Sequence, residues 1–130
     1  MSMTERRVFT LPKKSTSGFG TVATPTPYRF VGITGDLATA SGARTIGVCP
    51  EGVVQAGDEI PVVRIGTMPA YFSGNASPGD QCAIDTNNVG TLKAATAGAT
   101  VVAVLLYDED AVTTATSSNL VPREVVLIEN

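Results

Sequence analysis

Residues 56–85 read AGDEIPVVRIGTMPAYFSGNASPGDQCAID, and this stretch is the clearest indication of the fold. Two Gly-Asp pairs, Gly57-Asp58 and Gly79-Asp80, separate short runs rich in Val, Ile and Thr, and a third pair stands at Gly35-Asp36. Glycine supplies the backbone conformations of tight turns, and an aspartate side chain can hydrogen-bond the nearby backbone. The pattern therefore predicts a small antiparallel β domain whose strands are joined by tight turns.

The same alternation of strand-like runs and turn residues continues along the chain. Pro61 has no N–H, which favours an edge or a strand start, and Asn87-Asn88 predicts a tight hairpin. Residues 36–41 fit either a helical turn or a loop, and no run is long enough for a substantial helix. The segments predicted to be strands are residues 8–11, 28–33, 44–49, 59–65, 67–72, 81–85, 89–93, 100–107 and 121–128. Strands of this length and spacing predict an all-β sandwich or small barrel.

The strongest apolar run lies in residues 100–107. It does not alternate between apolar and polar residues, which is typical of a strand buried on both faces. We therefore expect it to lie at the centre of the domain. Its predicted core residues are Val101, Val102, Val104, Leu105 and Leu106.

Residues 1–27 are predicted to form an extended basic arm, and residues 28–130 the β body. The first 14 residues hold four of the nine basic residues and one of the twelve acidic ones. Such an arm could dock on an acidic partner or on a neighbouring copy, or it could be a solvated tail. The short strand before Pro12, where we expect it to stop, could join the sheet of another protein or pair with its own domain. The candidate binding residues of the arm are Arg6, Arg7, Val8, Phe9, Leu11, Lys13 and Lys14.

The composition of the 130-residue chain argues against several classes of function. The net charge is −3, and the few aromatic residues are scattered, so nucleic-acid binding is not expected. No stretch approaches the roughly 18 apolar residues of a membrane span, and the N-terminus lacks the apolar segment of a secretory signal. Cys49 and Cys82 fit no metal-binding spacing, and we expect both to be buried and reduced in a protein made in a cytosol. The alternative is a disulfide that forms late, outside a cell.

Candidate catalytic residues are few. The chain has no histidine, which removes Ser-His-Asp and Cys-His catalysis and histidine-based zinc sites. Asp85-Thr86-Asn87 differs from the Asp-Thr-Gly of aspartic proteases and fits a hairpin turn better. Residues 108–110, Asp-Glu-Asp, could hold calcium but fit an acidic surface loop better. We predict that the protein is not an enzyme and binds no metal, cofactor or small-molecule substrate; an enzyme that uses only carboxylates is a weaker alternative.

Five short, turn-like motifs are spread over about three quarters of the chain: residues 46–52 (IGVCPEG), 56–62 (AGDEIPV), 77–82 (SPGDQC), 88–90 (NVG) and 101–105 (VVAVL). In these motifs the body resembles the small capsid decoration, or cement, proteins of tailed bacteriophages. The sequence departs from the family pattern at Val102, where a glycine often precedes the alanine of the last apolar run.

The resemblance implies a compact β-barrel or β-tulip-like sandwich that forms homotrimers on the outer surface of a virion. It implies that the protein is made in the host cytoplasm and bridges copies of the major capsid protein, with the arm as the anchor. The alternative function is a carbohydrate- or receptor-binding head or fibre module. That function would need an exposed aromatic platform, for which the candidates are Tyr28, Tyr71, Phe72 and Tyr107.

Overall fold

The structure, a computed structural model, describes residues 9–128, and within that range it contains strands, turns and loops but no helix. The all-β prediction is confirmed. The strands are β1 (Phe9–Lys14), β2 (Gly18–Phe19), β3 (Arg29–Val31), β4 (Gly47–Cys49), β5 (Val54–Gln55), β6 (Glu59–Ile65), β7 (Thr67–Phe72), β8 (Gln81–Asp85), β9 (Thr91–Ala94), β10 (Ala103–Leu105) and β11 (Val121–Leu127).

The first half of the chain forms a four-stranded sheet with the order β1-β6-β4-β3. β1 pairs antiparallel with β6 along its whole length, from Lys14 opposite Glu59 to Phe9 opposite Ile65. β2 and β5 form a separate two-stranded sheet. In this single chain, then, the strand of the predicted arm pairs with its own domain. The boundary proposed at residues 27 and 28 stays a prediction.

The second half forms a sheet whose strand order, β10-β11-β7-β9-β8, returns to β10. Every pairing in this ring is antiparallel except one. β7 and β9 run parallel and meet at a single pair, Phe72 and Leu92. The ring therefore has a narrow seam between β7 and β9, and the predicted antiparallel arrangement holds for its other four pairings.

Two apolar clusters form the core. The larger one fills the ring and reaches the first sheet; it includes Phe30, Phe72, Ile84, Leu92 and Leu105. The smaller one lies between the first sheet and the β2–β5 pair and consists of Val31, Cys49, Val54, Ile60 and Val62. Because side chains from both halves of the chain enter the larger cluster, the two sheets pack together as one body.

The apolar run at residues 100–107 is not buried on both faces. β10 covers only Ala103–Leu105, and its burial alternates, with Val104 half-buried between two buried neighbours. A strand of a closed sheet has one face toward the interior and one toward the outside, and the outer face of β10 is only partly covered. Val102 and Leu105 thus lie in the core as expected, whereas Val101, Val104 and Leu106 are half-buried.

Pro12 does not end β1, as the sequence predicted, but lies inside it directly opposite Pro61. Neither proline has a backbone N–H to donate. Because the two prolines lie opposite each other, both missing donors fall at the same residue pair of the β1–β6 ladder. Pro61 is tolerated in β6, an inner strand, because β6 meets β4 only at the pair Val63 and Val48.

The structure decides the conformation of one loop that the sequence left open, and it corrects the prediction for a second loop. Residues 36–41 form a loop, not a helical turn, and Leu37 in it bridges to Val31. The hairpin between β8 and β9 is present but uses a five-residue loop, residues 86–90, and its positive φ falls on Gly90 rather than on an asparagine.

Candidate interaction surfaces

The turns at Gly57-Asp58 and Gly79-Asp80 are held by the same pattern of hydrogen bonds. Asp58 Oδ2 accepts the N–H of Gln55 at 2.9 Å, and Asp80 Oδ2 accepts the N–H of Ser77 at 2.8 Å. Each aspartate N–H in turn donates to the carbonyl of the same residue, Gln55 or Ser77, at 3.0 Å. Both carboxylates are therefore occupied in holding turns.

In the third pair, Gly35-Asp36, the aspartate forms hydrogen bonds with residues that are distant in the sequence. Asp36 Oδ1 accepts the Ser15 hydroxyl at 2.8 Å and the Ser17 N–H at 3.0 Å. Partial burial works to raise the pKa of Asp36, but hydrogen bonds from the Ser17 N–H and from nearby hydroxyls outweigh it and hold the pKa below its ordinary value. Asp36 thus ties the segment after β1 to the loop after β3.

A groove lined by apolar and basic side chains lies where β1 and β6 adjoin the loop between β3 and β4. Its lining, which we call the basic groove, comprises Pro12, Lys13, Ile33, Arg44, Thr45, Ile46, Val62 and Arg64. It is formed by two adjoining hollows of about 300 and about 460 Å³, which share Ile33 and Ile46. Ile33 is 74% exposed, and the described lining contains three cationic residues and no carboxylate. The groove is a basic, apolar surface on a chain of net negative charge.

A second exposed surface follows β10. Residues Tyr107, Asp108, Glu109 and Asp110 form what we call the acidic loop, in which Tyr107 is 84% exposed. Glu109 accepts the backbone N–H of Glu124 through its carboxylate, and Arg123 Nε donates to the Asp110 carbonyl at 2.9 Å. The Tyr107 ring lies against Gly79, where a Cβ would come within 2.5 Å of it. The loop is therefore held in place while its tyrosine faces outward.

The candidate arm residues are only partly described. Arg6, Arg7 and Val8 lie outside the described residues, and Phe9 and Leu11 belong to β1 by their backbone. Lys13 is half-buried and lines the basic groove, whereas Lys14 is exposed. Of the two arm residues whose side chains the structure describes, Lys13 lines the groove and Lys14 does not.

The candidate catalytic residue Asp85 is hydrogen-bonded inside the protein. Ser73 donates to Asp85 Oδ2 at 2.9 Å and lies 2.6 Å from the Thr91 hydroxyl, and all three residues are buried. This places Asp85 of the Asp85-Thr86-Asn87 motif in an interior network. No group of three or more potential metal ligands occurs in residues 9–128, the acidic loop included.

The two cysteines are buried and free, as predicted. Burial, aided by the charge of Glu51, raises the pKa of Cys49 to about 11. Burial, aided by the charge of Asp80, raises the pKa of Cys82 to about 12. Since the thiolate is the reactive form, neither side chain is poised as a nucleophile.

Arg29 is a buried cation that the sequence did not single out. Its guanidinium donates to Asn88 Oδ1 at 3.1 Å and to the Val89 carbonyl at 2.8 Å, and it lies over the Tyr71 ring at 5.8 Å from the centroid. Burial lowers the pKa of Arg29, with Tyr71 opposing. Arg29 therefore fixes the β8–β9 loop against β3 and is not a surface binding residue.

The four aromatic candidates for a sugar-binding platform do not share one exposed face. Phe72 is fully buried in the ring, Tyr28 and Tyr71 are half-buried, and only Tyr107 is strongly exposed. Stacking on a sugar uses open aromatic faces, which three of these side chains do not offer in full.

Sequence reasoning missed the basic groove. Arg44 and Ile46, and likewise Val62 and Arg64, are two residues apart, so each pair was predictable as sharing a face. The hydrogen bonding of β4 to both β3 and β6 brings these four residues close to Ile33. No local sequence pattern predicts which strands become neighbours.

Comparisons with known proteins gave no match among protein-family models, curated proteins or solved structures. No helix in the described part of the chain is long and apolar enough to cross a membrane.

Proposed function

We propose that this chain is a structural virion protein that binds the outer surface of a bacteriophage capsid and reinforces the lattice of its major capsid protein. The proposal includes association between copies of the chain, which the resemblance implies as a homotrimer. The observation that supports it best is the position of β1. The most basic segment of the sequence leads directly into this strand, which lies at the edge of its sheet.

An edge strand can pair with its own sheet on one side and with a partner strand on the other. Pro12, Lys13 and Lys14 in the second half of β1 oppose such pairing, since proline removes a donor and lysine favours solvent. The first half, residues 9–11, has neither residue type. We therefore place the shell contact at residues 9–11 and at Arg6 and Arg7, which precede them.

The partners of the carboxylates favour a structural role over catalysis. Asp58 and Asp80 hold turns, Asp36 joins two segments and Asp85 belongs to a buried network. A carboxylate that works as a general acid or base must reach a substrate. These four carboxylates are thus engaged in maintaining the fold.

The test is binding of the purified protein to capsid shells that lack it, followed by sedimentation of the shells. We expect saturation at a fixed ratio of protein to major capsid protein, with binding that weakens as salt is added because the anchor is basic. Arg7→Glu should weaken binding, whereas Lys93→Glu, the same change of charge on β9, should not. Absence of wild-type binding would rule out the proposed function, and equal binding by both variants would move the contact away from the basic segment.

A further inference from the structure

The basic groove and the acidic loop are complementary in charge, and each also presents apolar or aromatic surface. The groove offers the apolar side chains of Ile33 and Ile46 beside the cationic Arg44. The acidic loop offers an exposed tyrosine followed by three carboxylates. Tyrosine contributes a large contact area at a low cost in conformational entropy and is enriched in protein interfaces.

The acidic loop cannot turn into the groove of its own chain without losing the contacts that hold it. Glu109 is bonded to the backbone of Glu124 on β11, and Asp110 receives a hydrogen bond from Arg123. Ile128, just after β11, lines a hollow that shares Ile46 and Arg64 with the groove. Glu124 and Ile128 are four residues apart, which is about 13 Å along a strand. The two surfaces thus lie toward different ends of β11.

We propose that the acidic loop of one copy docks in the basic groove of a second copy. Tyr107 of the first copy lies on Ile33 and Ile46 of the second, and Asp108 faces Arg44. Because the two surfaces differ, the contact is head-to-tail, and repetition of it closes a ring or continues as a chain of copies. The inference rests on the self-association included in the proposed function, but not on binding to a shell.

The test is a charge exchange in solution, with the sedimentation coefficient measured over a range of protein concentrations. Arg44 and Asp108 are both exposed, so Arg44→Glu and Asp108→Lys should fold normally. Each variant alone should self-associate about tenfold or more weakly than the wild type, because like charges then face each other. An equal mixture should recover association, because opposite charges again face each other at positions 44 and 108 whenever a groove of one variant receives a loop of the other.

Two controls match these charge changes outside both surfaces. Lys93→Glu and the exposed Glu51→Lys should associate as the wild type does. The proposal is overturned if the wild type stays monomeric at every concentration, if the single variants associate normally, or if the mixture shows no recovery. It is also overturned if Arg44→Glu leaves self-association unchanged but abolishes binding to shells, since the groove would then hold a segment of the capsid protein. Failure of shell binding with successful charge exchange would instead remove only the capsid function.

Discussion

The hydroxyl oxygen of Ser73 lies 2.6 Å from that of Thr91, and both side chains are fully buried beside the seam of the ring. Ser73 follows β7 and Thr91 begins β9, the two strands that meet only at Phe72 and Leu92. The Ser73 and Gly74 N–H groups both donate to the Leu92 carbonyl, at 3.0 and 3.2 Å. Side-chain and backbone hydrogen bonds thus strengthen the seam between β7 and β9, which are otherwise joined by only one residue pair.

We expect Ser73→Ala to destabilise the protein markedly. The substitution removes the donor to Asp85 Oδ2 and leaves a buried carboxylate with an unmet hydrogen bond, which costs about 1–3 kcal/mol. Urea unfolding followed by circular dichroism measures the loss. Ser117→Ala, at an exposed position, should change the free energy of unfolding by less than about 0.5 kcal/mol. Equal effects of the two substitutions would contradict a stabilising role for the network.

Gly57 and Gly79 offer a matched pair of substitutions. Both have positive φ, 88° and 85°, in turns capped by the following aspartate. Alanine at either position should cost about 1–2 kcal/mol, because an L side chain disfavours this conformation. A Cβ at Gly57 meets nothing within 4 Å, but one at Gly79 meets the Tyr107 ring.

Only Gly79→Ala should therefore displace Tyr107. Because that ring is exposed, it can rotate away, and we expect similar stabilities for Gly57→Ala and Gly79→Ala. If Tyr107 contacts a second copy, Gly79→Ala should weaken self-association and Gly57→Ala should not. Thermal unfolding and sedimentation of the two variants separate the two effects, and equal sedimentation would argue against a role for Tyr107.

Val102, just before β10, and Val104, on the partly covered face of β10, test how deeply the last apolar run is buried. Val102 is 1% exposed, whereas Val104 is half-buried. Val102→Ala should cost about 2 kcal/mol in free energy of unfolding, and Val104→Ala should cost about half of that or less. Chemical denaturation of both variants gives the comparison. A larger loss for Val104→Ala would restore the view that both faces of this strand are buried.

Acidification should weaken the tie made by Asp36. Its folded pKa lies below the ordinary value of 3.8, so its contribution to stability is fully present above that pH and is lost as the pH falls through the folded pKa. The stability difference between the wild type and Asp36→Asn should thus be constant near neutral pH and shrink in strong acid. Urea midpoints at pH 7, 5, 4 and 3 measure it; a difference that grows on acidification would contradict the sign.

The two thiols should resist modification while the protein is folded. With pKa values of about 11 and about 12, Cys49 and Cys82 have little thiolate at pH 8, and burial blocks access. We expect a disulfide reagent to label neither residue in buffer and both in 6 M guanidinium chloride. Rapid labelling of one cysteine in buffer would show that its surroundings open readily.

The sequence alone determined the all-β class and the full extents of β6, β7 and β8, because their boundaries are local. Gly66 separates two of them, and Gly-Asp turns precede β6 and β8. It also indicated the two Gly-Asp caps, whose hydrogen bonds join residues only three apart. Local chemistry is sufficient for such features.

Tertiary structure decided the features that depend on contacts between distant parts of the chain. The burial of Val104, the opposition of Pro12 and Pro61 and the parallel seam at Phe72 and Leu92 depend on which strands become neighbours. The basic groove likewise needs Ile33 and Arg64, which are distant in sequence, to share one surface. Strand pairing is set by packing over the whole chain. An alternating pattern of apolar and polar residues indicates which side chains of a strand share a face, but it does not indicate which other strand that face will contact.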